Sequence, residues 1–336
     1  MRFYSLQILR GLSALIVVLF HIFQFSGFRP FGYMFAAQSA VDVFFLLSGF
    51  IILYTLKNIE RASSFAIRRI FRIFPLYIVI LCLHLFIIDF QKIQDVNWTK
   101  VVLNLFMIPY GDNIYRSFIL VVAWSTAFEC YFYTVIFLLM LFKFEKMKIS
   151  ILLIFSLIGL FVTSKYFLLA SNPNSLILRQ LDMIIGSYHI FMFIIGSVIF
   201  YFFDYLKRPV SQIITKTSFG FSTLIFILFL LTPYNPIVAI LLVPMVFVSW
   251  LKMELDGLFQ FENLIARTFI YLGEISFSIF LCHMIFVKIL ISISKEYIYF
   301  YTFLVFTFTI TFSIISFKYI ELNFIKKGRV LIEKQS

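Results

Sequence analysis

Apolar residues run through the chain in blocks of about twenty, separated by short polar or turn-rich pieces. That length matches one helical crossing of a bilayer core. The pattern predicts ten spans, at about 5–25, 34–56, 70–90, 118–142, 149–170, 184–205, 215–232, 235–251, 268–292 and 297–320. Ser171-Asn-Pro-Asn-Ser175 and Thr232-Pro-Tyr-Asn-Pro236 are plain interruptions, each built from residues that favour turns. The longest connection, 91–117, holds an apolar piece at 101–110. It is too short to span and reads as a re-entrant or interfacial helix. No internal repeat or low-complexity segment is visible. The expected fold is all-α: a polytopic integral membrane protein, with residues 1–336 forming one transmembrane domain.

Composition agrees. Hydrophobic residues make up 62% of the chain and charged residues 13%, about half the charged share of a soluble domain. The first span is expected to be retained, because no small-residue cleavage signature follows it and Arg10 interrupts its apolar run. In a soluble protein the net charge of +12 would suggest nucleic acid. Here the cations gather on one set of connections, nineteen Lys and Arg against six. The positive-inside rule then puts both termini in the cytoplasm and makes the lipid bilayer, not nucleic acid, the partner. Cys82, Cys130 and Cys282 all fall inside apolar runs, with an odd count and no metal-like spacing. Neither a disulfide framework nor a metal site is expected.

An ionisable side chain inside a span is costly, so each marks a candidate site. The first span carries Arg10 and His21. Eleven helical steps put them within roughly 20° of one stripe and about 16 Å apart along the axis. Counting inward from the predicted span ends, His21, Asp42, Glu129 and His283 come out at similar depths in the outer half. On the cytoplasmic side, Arg61, Arg68 and Arg72 recur at i, i+7 and i+11, with Arg69 alongside and Arg10 and Glu321 at a comparable level. Such guanidiniums suit bidentate phosphate binding. They equally suit a plain positive-inside anchor. His84 and His189 read as packing or interhelical hydrogen bonds, Trp124 and Tyr131 as core or interface aromatics, and Glu274 as the partner of a cytoplasmic-side cation. Intramembrane Arg, His, Asp and Glu would also serve a proton-coupled transporter or flippase. The lack of an inverted repeat and of paired broken spans speaks against that alternative.

Six blocks in order then resemble one family. They are Arg10 with His21, Asp42-Val-Phe-Phe-Leu-Leu-Ser-Gly-Phe50, and Arg68-Arg-Ile-Phe-Arg-Ile-Phe-Pro-Leu-Tyr77. The others are Trp124-Ser-Thr-Ala-Phe-Glu-Cys-Tyr-Phe-Tyr133, Leu272-Gly-Glu-Ile-Ser-Phe-Ser-Ile-Phe-Leu-Cys-His283 and Tyr319-Ile-Glu-Leu-Asn-Phe324. The chain resembles the membrane-bound acyltransferase-3 family in its short, stand-alone form, without an extracytoplasmic hydrolase-like domain. It departs at the closing motif, where Leu322-Asn323 stand in place of the usual residues after the glutamate.

The resemblance implies an O-acyltransferase, in the first instance an O-acetyltransferase, of the bacterial cytoplasmic (inner) membrane. The co-substrate implied is acyl-CoA, with acetyl-CoA first among the candidates. The acceptor implied is a hydroxyl of a surface polysaccharide, an exopolysaccharide or a lipid-linked sugar, with other polysaccharide-assembly proteins as partners. His21 is then expected as general base, with Glu129 stabilising its imidazolium. Arg10, Arg68, Arg69 and Arg72 are expected along the donor. Asp42, Ser48, Trp124, Ser125 and His283 are expected to support the acceptor or the oxyanion.

Overall fold

The computed structural model describes residues 3–29, 37–56, 61–88, 97–111, 113–142, 146–168, 175–291 and 297–334. Arg2, Lys57, Lys92, Lys143, Lys295 and the Ser171-Asn-Pro-Asn stretch lie outside the described residues. Every regular element among the described residues is helical. The α-helices in chain order are α1 (Tyr4–Ser26), α2 (Gln38–Leu56), α3 (Ala62–Ile88), α4 (Trp98–Leu105), α5 (Ala123–Leu141), α6 (Lys146–Thr163), α7 (Leu176–Ile185), α8 (His189–Tyr201), α9 (Phe203–Leu206), α10 (Gln212–Leu230), α11 (Pro236–Leu255), α12 (Leu264–Glu274), α13 (Ser276–Ile289), α14 (Ile298–Ser316) and α15 (Leu322–Glu333). A π-helical turn, Phe317–Glu321, joins the last two.

Among the described residues, eight helical stretches are long and apolar enough to cross a membrane, and ten if two bent pairs each count as one span. The chain is thus a polytopic helical membrane protein. The second pair falls where an unbroken helix is predicted at 268–292, whereas the first has its bend inside the predicted 184–205 but begins at Leu176, in what is predicted as a connection. The first bends by 42° between α7 and α8, and the second by 75° at Ile275, between α12 and α13. Large apolar side chains such as Phe155, Ile213, Leu241 and Phe303 are exposed along these helices, as lipid-facing positions require. Of the piece expected as a re-entrant or interfacial helix at 101–110, only 101–105 is helical, as the end of α4, which is eight residues long.

Contacts cluster into two compact units, each assembled from discontinuous segments: residues 1–53, 191–280 and 290–307, and residues 54–190, 281–289 and 308–336. In the first unit α1 packs most extensively against α12, and then against α11. Lipid tails are as apolar as leucine, so close backbone approach and interhelical hydrogen bonds must supply the association. Glycines supply the approach. A Cβ at Gly11 would stand 2.8 Å from Gly273 N and 2.9 Å from Phe269 O, and one at Gly273 would overlap the Gln7 carbonyl. Gly49 of α2 and Gly196 of α8 likewise lie against the carbonyls of Phe193 and Leu46. Hydroxyls supply the bonds. Ser222 and Ser249 pair at 2.7 Å between α10 and α11, and Trp250 Nε1 donates to Thr223 Oγ1 at 3.0 Å.

Glu254 on α11 caps the start of α1. Its carboxylate accepts from Tyr4 N–H and Ser5 N–H, both at 2.8 Å, and from Ser5 Oγ at 2.6 Å. Three donors at the positive end of a helix meet one anion there. α1 ends at Gly27, whose φ of +74° closes the helix in the left-handed region.

In the second unit α3 packs against α5 and α15. Gly328 admits the Phe71 ring against the α15 backbone. Asn104, fully buried, ties the connection after α4 together. Its Nδ2 donates to Ile108 O (3.0 Å) and Ser117 O (3.1 Å), its Oδ1 accepts from Ile119 N (2.8 Å), and its own carbonyl accepts from Tyr77 OH on α3 (2.7 Å).

Candidate functional site

Four of the predicted site residues belong to the first unit: Arg10 and His21 on α1, and Asp42 and Ser48 on α2. Arg10 stands next to Gly11, where α1 touches α12, so the close helix contact fixes the height and rotation of the whole stripe. Arg10 and His21 are both half-buried. His21 Nδ1 lies 3.0 Å from the Val17 carbonyl one turn earlier. A carbonyl oxygen only accepts, so Nδ1 carries the hydrogen and, in the neutral ring, the lone pair sits on Nε2. Phe20 packs edge-to-face on the imidazole, with ring centroids 5.2 Å apart. The helix itself thus orients the ring and selects its tautomer, a task that a carboxylate performs in a catalytic triad.

Asp42 is completely buried, and a buried carboxylate needs donors. One is the hydroxyl of Tyr234, 2.8 Å from Oδ2. Tyr234 lies in the Thr-Pro-Tyr-Asn-Pro turn before α11, which the sequence marked only as a break. Ser48 is half-buried beside Gly49, at the contact between α2 and α8.

The second unit holds Arg68, Arg69 and Arg72 on α3, Trp124, Ser125 and Glu129 on α5, and His283 on α13. The three arginines lie within the first turns of α3, not in a loop before it. They occupy different surroundings. Arg68 is exposed and Arg72 half-buried. The Arg69 guanidinium lies 5.0 Å from the Tyr133 ring centroid and 5.4 Å from that of Phe65, and its Nη2 donates to Thr55 Oγ1 at 3.3 Å. Tyr133 OH in turn donates to Glu129 Oε2 at 3.3 Å. Arg69 and Glu129, expected at opposite levels, therefore share one aromatic neighbour. Both flank a ring that spacing alone did not single out.

Trp124 is buried and packs on His189 (centroids 5.1 Å apart), Phe128 and Tyr115. Ser125 Oγ donates to its own helix at Val122 O (3.2 Å). His283 is fully buried. His84 Nε2 lies 3.1 Å from Lys288 Nζ, joining α3 to α13, and that lysine is a further intramembrane cation the spacing did not bring forward. A pocket of about 1120 Å³ opens beside the start of α12 in the first unit, with Tyr4, Phe261, Arg267 and Glu274 in its wall, and none of the predicted site residues lines it. Among the described residues, no group of three or more His, Cys, Asp or Glu is placed to hold a metal ion.

The first unit offers a tautomer-fixed imidazole and a buried carboxylate with a phenolic donor; the second offers a carboxylate with a phenolic donor and a guanidinium held on aromatic faces. A family model described as an acyltransferase domain, of the acyltransferase-3 type, matches residues 3–318. Neither the curated proteins nor the solved structures searched contain a match to the chain.

Proposed function

The chain belongs to the acyltransferase-3 family, and from that premise we propose that it moves an acyl group from cytoplasmic acyl-CoA to a hydroxyl of a surface polysaccharide, exopolysaccharide or lipid-linked sugar. The observation that carries this reading is the His21 tautomer. With Nδ1–H bound to Val17 O, the lone pair for proton abstraction is on Nε2.

His21 Nε2 takes the proton of the acceptor hydroxyl as that oxygen attacks the thioester carbonyl carbon. The new C–O bond forms, and the tetrahedral oxyanion is held by donors for which His283 and Ser48 are the candidates. Collapse breaks the C–S bond, and the CoA thiolate takes the proton back from the imidazolium. Glu129 is assigned to support the charge that develops in the chemical step. Asp42, Trp124 and Ser125 shape the acceptor side. Arg68 and Arg72 suit the CoA phosphates because guanidiniums at i and i+4 on one helix face can each engage a phosphate in a forked geometry. Arg10 and Arg69 are assigned to the donor as well. The setting proposed is the bacterial inner membrane, alongside proteins that assemble the acceptor.

The test is transfer of radiolabel from acetyl-CoA or succinyl-CoA in membranes that contain the protein, compared with membranes that lack it. Covalent label in an envelope sugar fraction is the expected result. Uptake or exchange of a small molecule with no covalent product would instead favour a transporter.

A further inference from the structure

Tyr133 stands at the junction of two groups that the proposed reaction uses differently. It lies one turn after Glu129 on α5, so both side chains share a face of that helix. Its hydroxyl donates to Glu129 Oε2 at 3.3 Å. Its ring face receives the Arg69 guanidinium at 5.0 Å, with Phe65 also beside that group at 5.4 Å. Thr55 takes one Nη2 hydrogen at 3.3 Å, while Arg69 Nε is buried with no hydrogen-bond partner. A buried N–H without a partner is costly, and this one belongs to a cation held in place by aromatic faces and one hydroxyl. The guanidinium is therefore fixed in direction while retaining a donor for an incoming acceptor atom.

We propose that Tyr133 is a positioning residue for acyl transfer, its hydroxyl setting the Glu129 carboxylate and its ring face setting the Arg69 guanidinium. The proposal rests on the reading above, in which Glu129 acts in the chemical step and Arg69 lies along the acyl-CoA donor. It makes the two halves of one side chain separable. Phenylalanine at this position keeps the face and removes the hydroxyl; leucine removes both.

The experiment measures acyl transfer from radiolabelled acetyl-CoA and, in parallel, succinyl-CoA by the full chain in membranes. Rates are normalised to the folded fraction, read as a monodisperse peak after mild detergent extraction. Tyr133→Phe is expected to lower kcat about tenfold, the scale of one lost hydrogen bond to a charged group, and to leave KM for the donor within about twofold. Tyr133→Leu is expected to lower kcat by at least as much and to raise KM by about fivefold or more, the scale of a lost cation–π contact at a partly desolvated site. Restoration of donor KM by phenylalanine relative to leucine is a readout that a purely structural role would not produce. With an active wild type, a Tyr133→Phe protein matching wild-type kcat, or Phe and Leu proteins sharing the same two constants, overturns the positioning role alone. A wild type that transfers neither acyl group overturns the acyl-CoA reading, and this proposal with it.

Discussion

Replacing Gly273 with alanine puts a methyl group into the backbone of α1. The added carbon would overlap the Gln7 carbonyl and stand 2.7 Å from Gln7 C and 3.0 Å from Gln7 Cα. All three are main-chain atoms of a regular helix, so no side chain can turn aside. The reciprocal change, Gly11→Ala, meets Gly273 N at 2.8 Å, which is about 0.6 Å short of ordinary contact at roughly 3.4 Å. Relief requires α1 and α12 to separate by roughly half an ångström to an ångström. Overpacking of that kind costs about 1–3 kcal/mol. The functional effect should be larger, because Arg10 is next to Gly11 and His21 rides on the same helix. Misplacing a reacting group by about 1 Å can lower a rate on the order of a hundredfold. The controls are Gly159→Ala in α6 and Gly220→Ala in α10, where an added Cβ meets nothing within 4 Å. Both should be neutral or more stable by up to about 1 kcal/mol, as alanine is the better helix former. Thermal aggregation midpoints in mild detergent and acyl transfer from acetyl-CoA give the two readouts. A Gly273→Ala protein that melts with the wild type and transfers label at the wild-type rate would refute the claim that this contact sets the α1 stripe.

Three further outcomes follow from the same contacts. Glu254→Ala removes the acceptor of three hydrogen bonds at the start of α1 and should cost about 1–2 kcal/mol, with faster hydrogen exchange at the Tyr4 and Ser5 amides. Exchange unchanged at those two amides would remove Glu254 from the capping role. Asn104→Ala deletes three side-chain hydrogen bonds and leaves the Ile119 N–H and two carbonyls to find other partners. It should cost about 2 kcal/mol or more and open residues 97–119 to limited proteolysis from the side they face; an unchanged cleavage pattern would contradict this. Arg68→Ala combined with Arg72→Ala should raise donor KM by about tenfold with a smaller change in kcat, and the effect should weaken as salt screens the exposed Arg68 guanidinium. If only insertion or orientation changes, the two arginines are topological anchors.

The span pattern was legible because bilayer thickness dictates it. The predicted 5–25 became Tyr4–Ser26, and 235–251 became Pro236–Leu255. Charge hid the rest of α3: an apolar window opening at 70 leaves out Arg68 and Arg69, yet the helix begins at Ala62. In the same way the last predicted span, 297–320, runs on through a π turn into the polar α15. The 75° bend at Ile275 left no mark, because no proline or glycine occupies that position and the packing of Gly273 on α1 is a tertiary event. Long-range partners were beyond reach for the same reason. Glu254 reaches Ser5 across 249 positions, and Tyr234 reaches Asp42 across 192. Helical spacing placed Arg10 and His21 on one stripe but could not show that Val17 O fixes the His21 tautomer. Depth counting set Arg69 apart from Glu129, whereas both contact Tyr133.

The picture that emerges for α1 is of a helix pinned at three points. Glu254 holds its start, the Gly11–Gly273 contact sets its rotation, and Gly27 ends it. Between the pins stand the residues assigned to the donor and to proton transfer. Rigid support of this sort is what a positioned base requires, since a general base works only within hydrogen-bond reach of the proton it removes.

The most direct measurement is acyl transfer from radiolabelled acetyl-CoA, and in parallel succinyl-CoA, by membranes carrying His21→Ala beside the wild type, with extraction profiles showing equal folded protein. Transfer by the wild type and loss of at least about a hundredfold in the variant is the predicted result. Retained turnover in His21→Ala would contradict the assignment of His21 as the base.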